Sequence, residues 1–220
     1  MKDRPILFSA PMVRAILEGR KTQTRRVVKP VGNDEGFVII DYGNGGWPYR
    51  SDDGDSTTHT VKRGGNLYHD ETPHACPYGQ PGDRLWVREA WATHVCFDNI
   101  PPRDLTTRSI HYQADGKVET GKYRQAFHMP RWPSRILLEV TGVRVERLQD
   151  ISEEDAKAEG ADCLITANCT AEQRELLAMP LMDDATPYRN GYALLWESIN
   201  GDGSWEANPW VWVIEFKRVT

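Results

Sequence analysis

The sequence predicts an α+β fold: a small mixed β-sheet curled toward a barrel, flanked by helices and interrupted by long loops. Three observations lead there. Apolar runs of strand length at residues 6–8, 85–87, 136–145 and 210–216 are separated by turns rich in Gly, Pro, Asn and Asp. Helix-start signals stand at Ser9 with Pro11, at Ser152 with Glu153, Glu154 and Asp155, and at Pro187. Finally, Ile136, Leu138 and Val140 alternate, and then Val143 and Val145 resume in the opposite parity. A slip at Thr141-Gly142 is the bulge or bend that curling a sheet needs.

Taken in order, Ile6-Leu7-Phe8 is a short strand and Ser9 can cap a helix that begins near Pro11. That helix is expected to turn Met12, Ile16 and Leu17 inward, with Arg14 and Glu18 outward, and to stop at Gly19. A strand through residues 25–28 ends before Pro30. Residues 31–78 change character and read as an insertion carrying a hairpin or two, with strand-like runs at 37–40 and 60–62. Trp47, Tyr49 and Tyr68 in it either stack on a base or pin the loop to the body.

The turn at residues 79–83 feeds a strand in which Leu85, Val87 and Glu89 share one face. A glutamate continuing an apolar face needs a partner when buried, and Glu89 reads either as paired with one of the arginines at 20–26 or as one half of an ordinary edge salt bridge. Residues 92–134 form a second insertion, with a short strand at 110–113 and a proline-stiffened stretch at 129–133. Its Arg131 and Trp132 either clamp a phosphate or a ring, or staple the loop. After the strand at 135–148, a helix opens at Ser152 and stops at Gly160, placing Glu159 in its last turn, where the helix dipole disfavours a negative charge. A carboxylate placed there suits proton transfer or pairing with cations. Residues 161–186 read as a third insertion with a short helix near 171–178, and residues 187–199 as an amphipathic helix. Residues 210–217 close the chain as a strand.

A chain of 220 residues fits one domain with insertions, here residues 1–220 with insertions at about 31–78, 92–134 and 161–186. The net charge of −5 argues against a nucleic-acid footprint over the whole surface. Residues 14–29 nevertheless gather Arg14, Arg20, Lys21, Arg25, Arg26 and Lys29 against Glu18 alone, a local basic mouth suited to a nucleoside or one flipped base. No secretory signal or spanning segment is apparent, so a soluble cytoplasmic protein is expected. Cys76, Cys96, Cys163 and Cys169 lack paired Cys-x-x-Cys spacing, and His69, His74 and Cys76 read either as part of a zinc site or as loop residues with a reduced thiol.

The chemistry concentrates in Gly19-Arg20-Lys21-Thr22-Gln23-Thr24-Arg25-Arg26, four cations and two hydroxyls that are too polar for a strand buried on both faces. Read plainly, this is a solvated edge strand. Read for chemistry, Arg20, Arg25 and Arg26 depress the proton affinity of Lys21, which then activates the Thr24 hydroxyl as a nucleophile. Lys21 and Thr24 have opposite strand parity, so the two can meet only if Lys21 still lies in the turn after Gly19 or a bulge re-aims one of them.

The stretch Gly19, Lys21, Thr24, Arg26 resembles the G-x-K-x-x-T-x-R hallmark of the activating-signal-cointegrator homology (ASCH) domain, and the Gly-Asp-x-Leu-x-Val spacing at 82–87 and the Val-Ile-Glu-Phe run at 213–216 are similar too. The resemblance implies a small β-barrel akin to PUA RNA-binding domains and frames residues 5–29, 79–91, 135–160 and 187–219. Short bacterial members are amidohydrolases that deacetylate N(4)-acetylcytidine with a lysine, a threonine and a glutamate. This chain, about twice their length, looks like the longer members of phage and prophage genomes. Carried over, the resemblance implies Lys21, Thr24 and Glu159 as catalytic residues, and Arg20, Arg26 and Glu89 as substrate contacts, with no metal or organic cofactor. Two other readings use the same mouth: a non-catalytic module that binds RNA or a modified base, and a ribonuclease in which Lys21 and Arg26 engage a phosphate.

Overall fold

The computed structural model describes residues 1–28, 76–105, 109–116, 121–162 and 185–219 in full, and the backbone of three strands at 37–38, 59–63 and 66–70. The fold is α+β. A five-stranded mixed sheet has the order β1 (Asp3–Leu7), β6 (Arg84–Arg88), β9 (Leu137–Arg147), β10 (Trp210–Arg218), β2 (Gln23–Val27). β1 runs parallel to β6, and β6 antiparallel to β9. β3 (Phe37–Val38), β4 (His59–Arg63) and β5 (Asn66–Asp70) form a separate antiparallel sheet, in line with the hairpins read from the first insertion. Trp47, Tyr49, His74 and the segment at 171–178 lie outside the described residues, as do the side chains of Tyr68 and His69.

The expected closed barrel is not formed. β1 and β2 are the two edges of the large sheet, and no ladder joins them among the described residues. The parity slip in β9 is real, with Leu138 and Val140 buried before it and Val145 after it, but one continuous strand absorbs it. Glu215 packs over Gly142 at the slip, where an added Cβ would lie 2.7 Å from a Glu215 carboxylate oxygen.

The chain packs as two compact units. The first comprises Met1–Thr22, Tyr78–Gly142 and Glu215–Thr220. Its helix α1 (Ala10–Leu17) has Ser9 at the N-cap position and a proline in the first turn, though the serine side chain makes no capping bond. Val13, Ala15 and Ile16 are its buried residues, so the inward face is rotated from the expected one and Met12 is only half-buried. Gly19 adopts φ +76°, and the Arg20 and Lys21 amides both donate to the Ala15 carbonyl at 2.9 and 3.0 Å, closing the helix in a turn. The second insertion is a run of short 3-10 turns around a small core of Trp91, Leu105 and Met129, with β7 (Trp91–Ala92) paired to β8 (His111–Tyr112).

The second unit comprises Gln23–Pro77 and Val143–Ile214. Its core joins Leu148, Ile151, Ala156, Tyr192, Trp196 and Val211 among others. Helix α2 (Glu153–Ala158) starts as the sequence predicts: the Ser152 hydroxyl accepts from the Asp155 amide at 3.0 Å, and three acids fill the first turn. Glu153 caps the next helix, α3 (Pro187–Asn200), accepting from the Tyr188 and Arg189 amides at 2.7 and 2.9 Å. Gly191 lets α3 approach the chain at Asp162, because a Cβ there would collide with the Asp162 carbonyl oxygen. Among the described residues no helix is long and apolar enough to cross a membrane.

Candidate functional site

The polar segment at 19–26 is not a wholly solvated edge: Arg20 and Thr22 are exposed, but four of its polar side chains are buried. Lys21, Gln23, Thr24 and Arg25 are 2, 3, 1 and 1% exposed, so β2 hides consecutive polar side chains on both faces. What composition alone excludes, specific partners allow. In the second unit the Gln23 amide nitrogen donates to the Asp155 carbonyl at 2.9 Å, on α2.

Arg25 is the centre of this unit's polar cluster. Its guanidinium is fully buried and donates to Glu146 of β9, to Asp155 Oδ2 at 3.0 Å and to Glu159 Oε1 at 3.2 Å. Arg144 adds a second cation, donating to Glu146 Oε2 at 3.0 Å and to Asp155 Oδ2 at 2.7 Å. Two arginines therefore share three carboxylates. Burial works against the charge of Arg25, but Glu159 and Glu146 outweigh it and hold its proton more firmly than usual. Tyr192 of α3 lies 5.9 Å beneath the guanidinium. Its own hydroxyl is pushed well above the ordinary phenol range by burial and by Glu159, with Arg25 opposing, so it stays protonated.

Glu159, the last-turn carboxylate, is 3% exposed at the C-cap of α2, just before Gly160 at φ +77°. The cation that such a position calls for is Arg25, paired across β2 and α2. Thr24 is different from its neighbours. Its hydroxyl oxygen is buried and has no hydrogen-bond partner among the described residues, whereas Gln23, Arg25 and Arg26 all have theirs. Arg26 is half-buried and donates from Nη1 to the Arg25 carbonyl at 3.1 Å.

In the first unit, Lys21 lies in the turn after Gly19, outside β2, which is one of the two arrangements its parity required. Its amine is withdrawn from bulk water, with Nζ 5.7 Å from the Phe8 ring centroid. Arg20 is exposed and engaged by Glu18, with Nη2 at 2.6 Å. Arg20 and Arg25 both face carboxylates, so neither is the bare positive charge that the sequence suggests.

Of the two readings of Glu89, the pairing with an arginine at 20–26 is not found and a salt bridge with another residue is. Glu89 is 1% exposed and both its oxygens accept from Arg135, at 2.9 and 3.0 Å. Arg135 turns its other edge to Asp115, at 2.7 and 2.8 Å, and stacks on Tyr112 at 3.9 Å. The reason is local: Arg135 enters β9 beside the end of β6, and its planar fork fits two carboxylates at once. Sequence reasoning missed Arg135, Glu146 and Asp155. Arg144 and Glu146 share a face of β9 with charges at strand spacing, the one signal that could have pointed to them.

Cys76 is a buried free thiol and Cys96 an exposed one. Among the described residues no group of three or more His, Cys, Asp or Glu is placed to hold a metal ion. Comparison with protein-family models, curated proteins and solved structures finds no match.

Proposed function

We propose that the chain is an ASCH-type, PUA-like amidohydrolase that removes an acyl group from the exocyclic amine of N(4)-acylated cytidine or a related modified nucleoside. The observation that carries this reading is the Thr24 hydroxyl, buried and without a hydrogen-bond partner among the described residues, beside Gln23, Arg25 and Arg26, whose side chains are bonded. Such a group costs roughly 1–3 kcal/mol, and a valine of the same shape would remove the cost. A reacting role would give a threonine there a reason, and Thr24 occupies the threonine position of the G-x-K-x-x-T-x-R stretch.

In this reading Lys21 takes the proton of Thr24 Oγ1 as that oxygen bonds to the acyl carbonyl carbon. The bond from that carbon to the exocyclic nitrogen then breaks, and the nitrogen leaves with the proton that Lys21 took from Thr24, handed over directly or through Glu159. Water hydrolyses the Thr24 ester and releases the carboxylic acid. Arg26 or a nearby backbone N–H stabilises the oxyanion, a contribution of about 3–4 kcal/mol per donor. Lys21 suits a base because its amine is withdrawn from water, and Glu159 is held in place by its pair with Arg25. Arg20, exposed beside Glu18, remains a substrate contact in this proposal. Glu89 is left out, since Arg135 occupies both its oxygens. The reading of the same stretch as a basic RNA mouth is served less well, because Arg20 and Arg25 face carboxylates.

Chromatography of N(4)-acetylcytidine incubated with the wild-type chain, Thr24→Ala and Lys21→Ala tests the assignment. Conversion to cytidine by the wild type and its loss in both variants is expected. Equal conversion by all three would contradict it.

A further inference from the structure

The first unit carries a second cluster that the proposed chemistry does not use. Along β6, Arg84, Trp86 and Arg88 share one face, and across the parallel ladder they meet Asp3, Pro5 and Leu7 of β1. The segment at 126–132 packs against this face. Arg88 lies 5.0 Å from the Trp86 ring and 6.0 Å from Phe127, and Arg131 lies 5.7 Å from Trp86. The Arg88 guanidinium is held in place by its Nε bond to the Met129 carbonyl at 2.9 Å. Trp132 stands edge-on to the buried Trp91 at 5.8 Å.

A pure staple would cover its rings, but here Phe127 is 65% and Trp132 43% exposed. The charge is also out of keeping with the chain. The face carries Arg84, Arg88 and Arg131 against Asp3 and a Glu139 already paired with Lys217, whereas the whole chain has a net charge of −5. The Asp3–Arg131 pair is long, 3.8 Å, and half-exposed on both sides, so it offers little competition to an incoming anion. Exposed rings interleaved with arginines select a ligand that is both anionic and planar-ringed along its length.

We infer that this arginine–aromatic face binds single-stranded nucleic acid, with bases stacking on Phe127 and Trp132 and phosphates drawn to Arg88 and Arg131. A duplex fits poorly, because its bases are already stacked inside. The inference stands apart from the amidohydrolase reading: it involves neither Lys21, Thr24 nor Glu159, and its ligand needs no acyl group.

Fluorescence anisotropy with a labelled oligouridylate of about twelve nucleotides tests it at low salt. Phe127→Ala is expected to weaken binding about tenfold, within the range known for removing one stacking ring, and the double variant with Trp132→Ala to weaken it further. Phe127→Trp keeps a ring and is expected to keep binding, a rescue that a merely structural role would not show. Arg131→Gln is expected to flatten the salt dependence by about one phosphate contact. Heparin, a polyanion without aromatic rings, should be insensitive to Phe127→Ala. A parallel series with oligodeoxythymidylate identifies the sugar: ring dependence in either series supports the assignment, and the tighter series names the source. No binding by the wild type, equal binding by the double variant, equal binding of duplex RNA, or equal ring dependence for heparin would overturn it. The probes carry no acyl amide, so nucleoside turnover by these variants is a separate readout, and its failure bears on the amidohydrolase reading alone.

Discussion

Arg135 in the first unit and Arg25 in the second each gather carboxylates, yet they do so differently. Arg135 presents its two edges to Glu89 and Asp115 in planar, two-point pairs, and its side chain keeps a quarter of its surface in water. Arg25 is fully buried and meets Glu146, Asp155 and Glu159 on three sides, with Arg144 needed to balance the charge. The first arrangement is complete in itself and pins the loop around Asp115 to β6 and β9. The second gathers three carboxylates around two arginines, in a unit whose Thr24 hydroxyl has no hydrogen-bond partner among the described residues. A complete pairing is what a structural clamp looks like, and the proposed function puts the reacting hydroxyl in the other unit.

Removing Arg25 should break the comparison most severely. Arg25→Met takes the guanidinium away from the buried Glu159 and leaves Glu146 and Asp155, 17 and 29% exposed, to Arg144, and a loss of about 3–5 kcal/mol is expected from urea unfolding. Adding Glu159→Gln should return part of it, because the buried charge that Arg25 faced is gone.

Arg135→Met should cost less, about 2–3 kcal/mol at neutral pH, and the cost should depend on pH. Burial already raises Glu89 above the ordinary carboxylate range, and the bonds from Arg135 hold it down against that pull. Without Arg135 the upward shift grows. A carboxyl raised on folding binds its proton more tightly in the native state, so its contribution falls as pH rises from about 4.5 through the folded value. Unfolding measured between pH 4.5 and 8 should therefore show the variant closest to wild type at the acid end. A penalty that is flat across this range would mean that Glu89 is not the group left exposed to the change.

Gly191→Ala is a smaller test of how α3 supports Tyr192 under Arg25. The new methyl must displace the chain at Asp162, and a loss of about 1–3 kcal/mol is expected in thermal or urea unfolding. No loss would show that the approach of α3 to Asp162 is loose.

The parts of this arrangement that rest on local signals were legible in the sequence. Ser152 with its three acids marked α2, Gly19 and Gly160 marked the ends of α1 and α2, and the alternation about Thr141-Gly142 marked the irregular strand β9. The partners of the buried charges were not. Arg25 meets Glu146 and Asp155 across more than 120 residues of chain, and no periodicity connects them. Composition misled at β2 for the same reason: Gln23 and Arg25 look like solvated residues until Asp155, Glu146 and Glu159 are brought over them. Glu89 was correctly read as needing a partner, but Arg135, 46 residues away, supplies it in place of the basic stretch.

The smallest expected change in stability is also the most telling one. Thr24→Val keeps the shape of the side chain and removes the unsatisfied hydroxyl, so urea unfolding should show stability unchanged or raised by up to about 1 kcal/mol. The same preparation should fail to convert N(4)-acetylcytidine to cytidine. Full stability with lost turnover is the result this account predicts; turnover equal to that of the wild-type chain would contradict it.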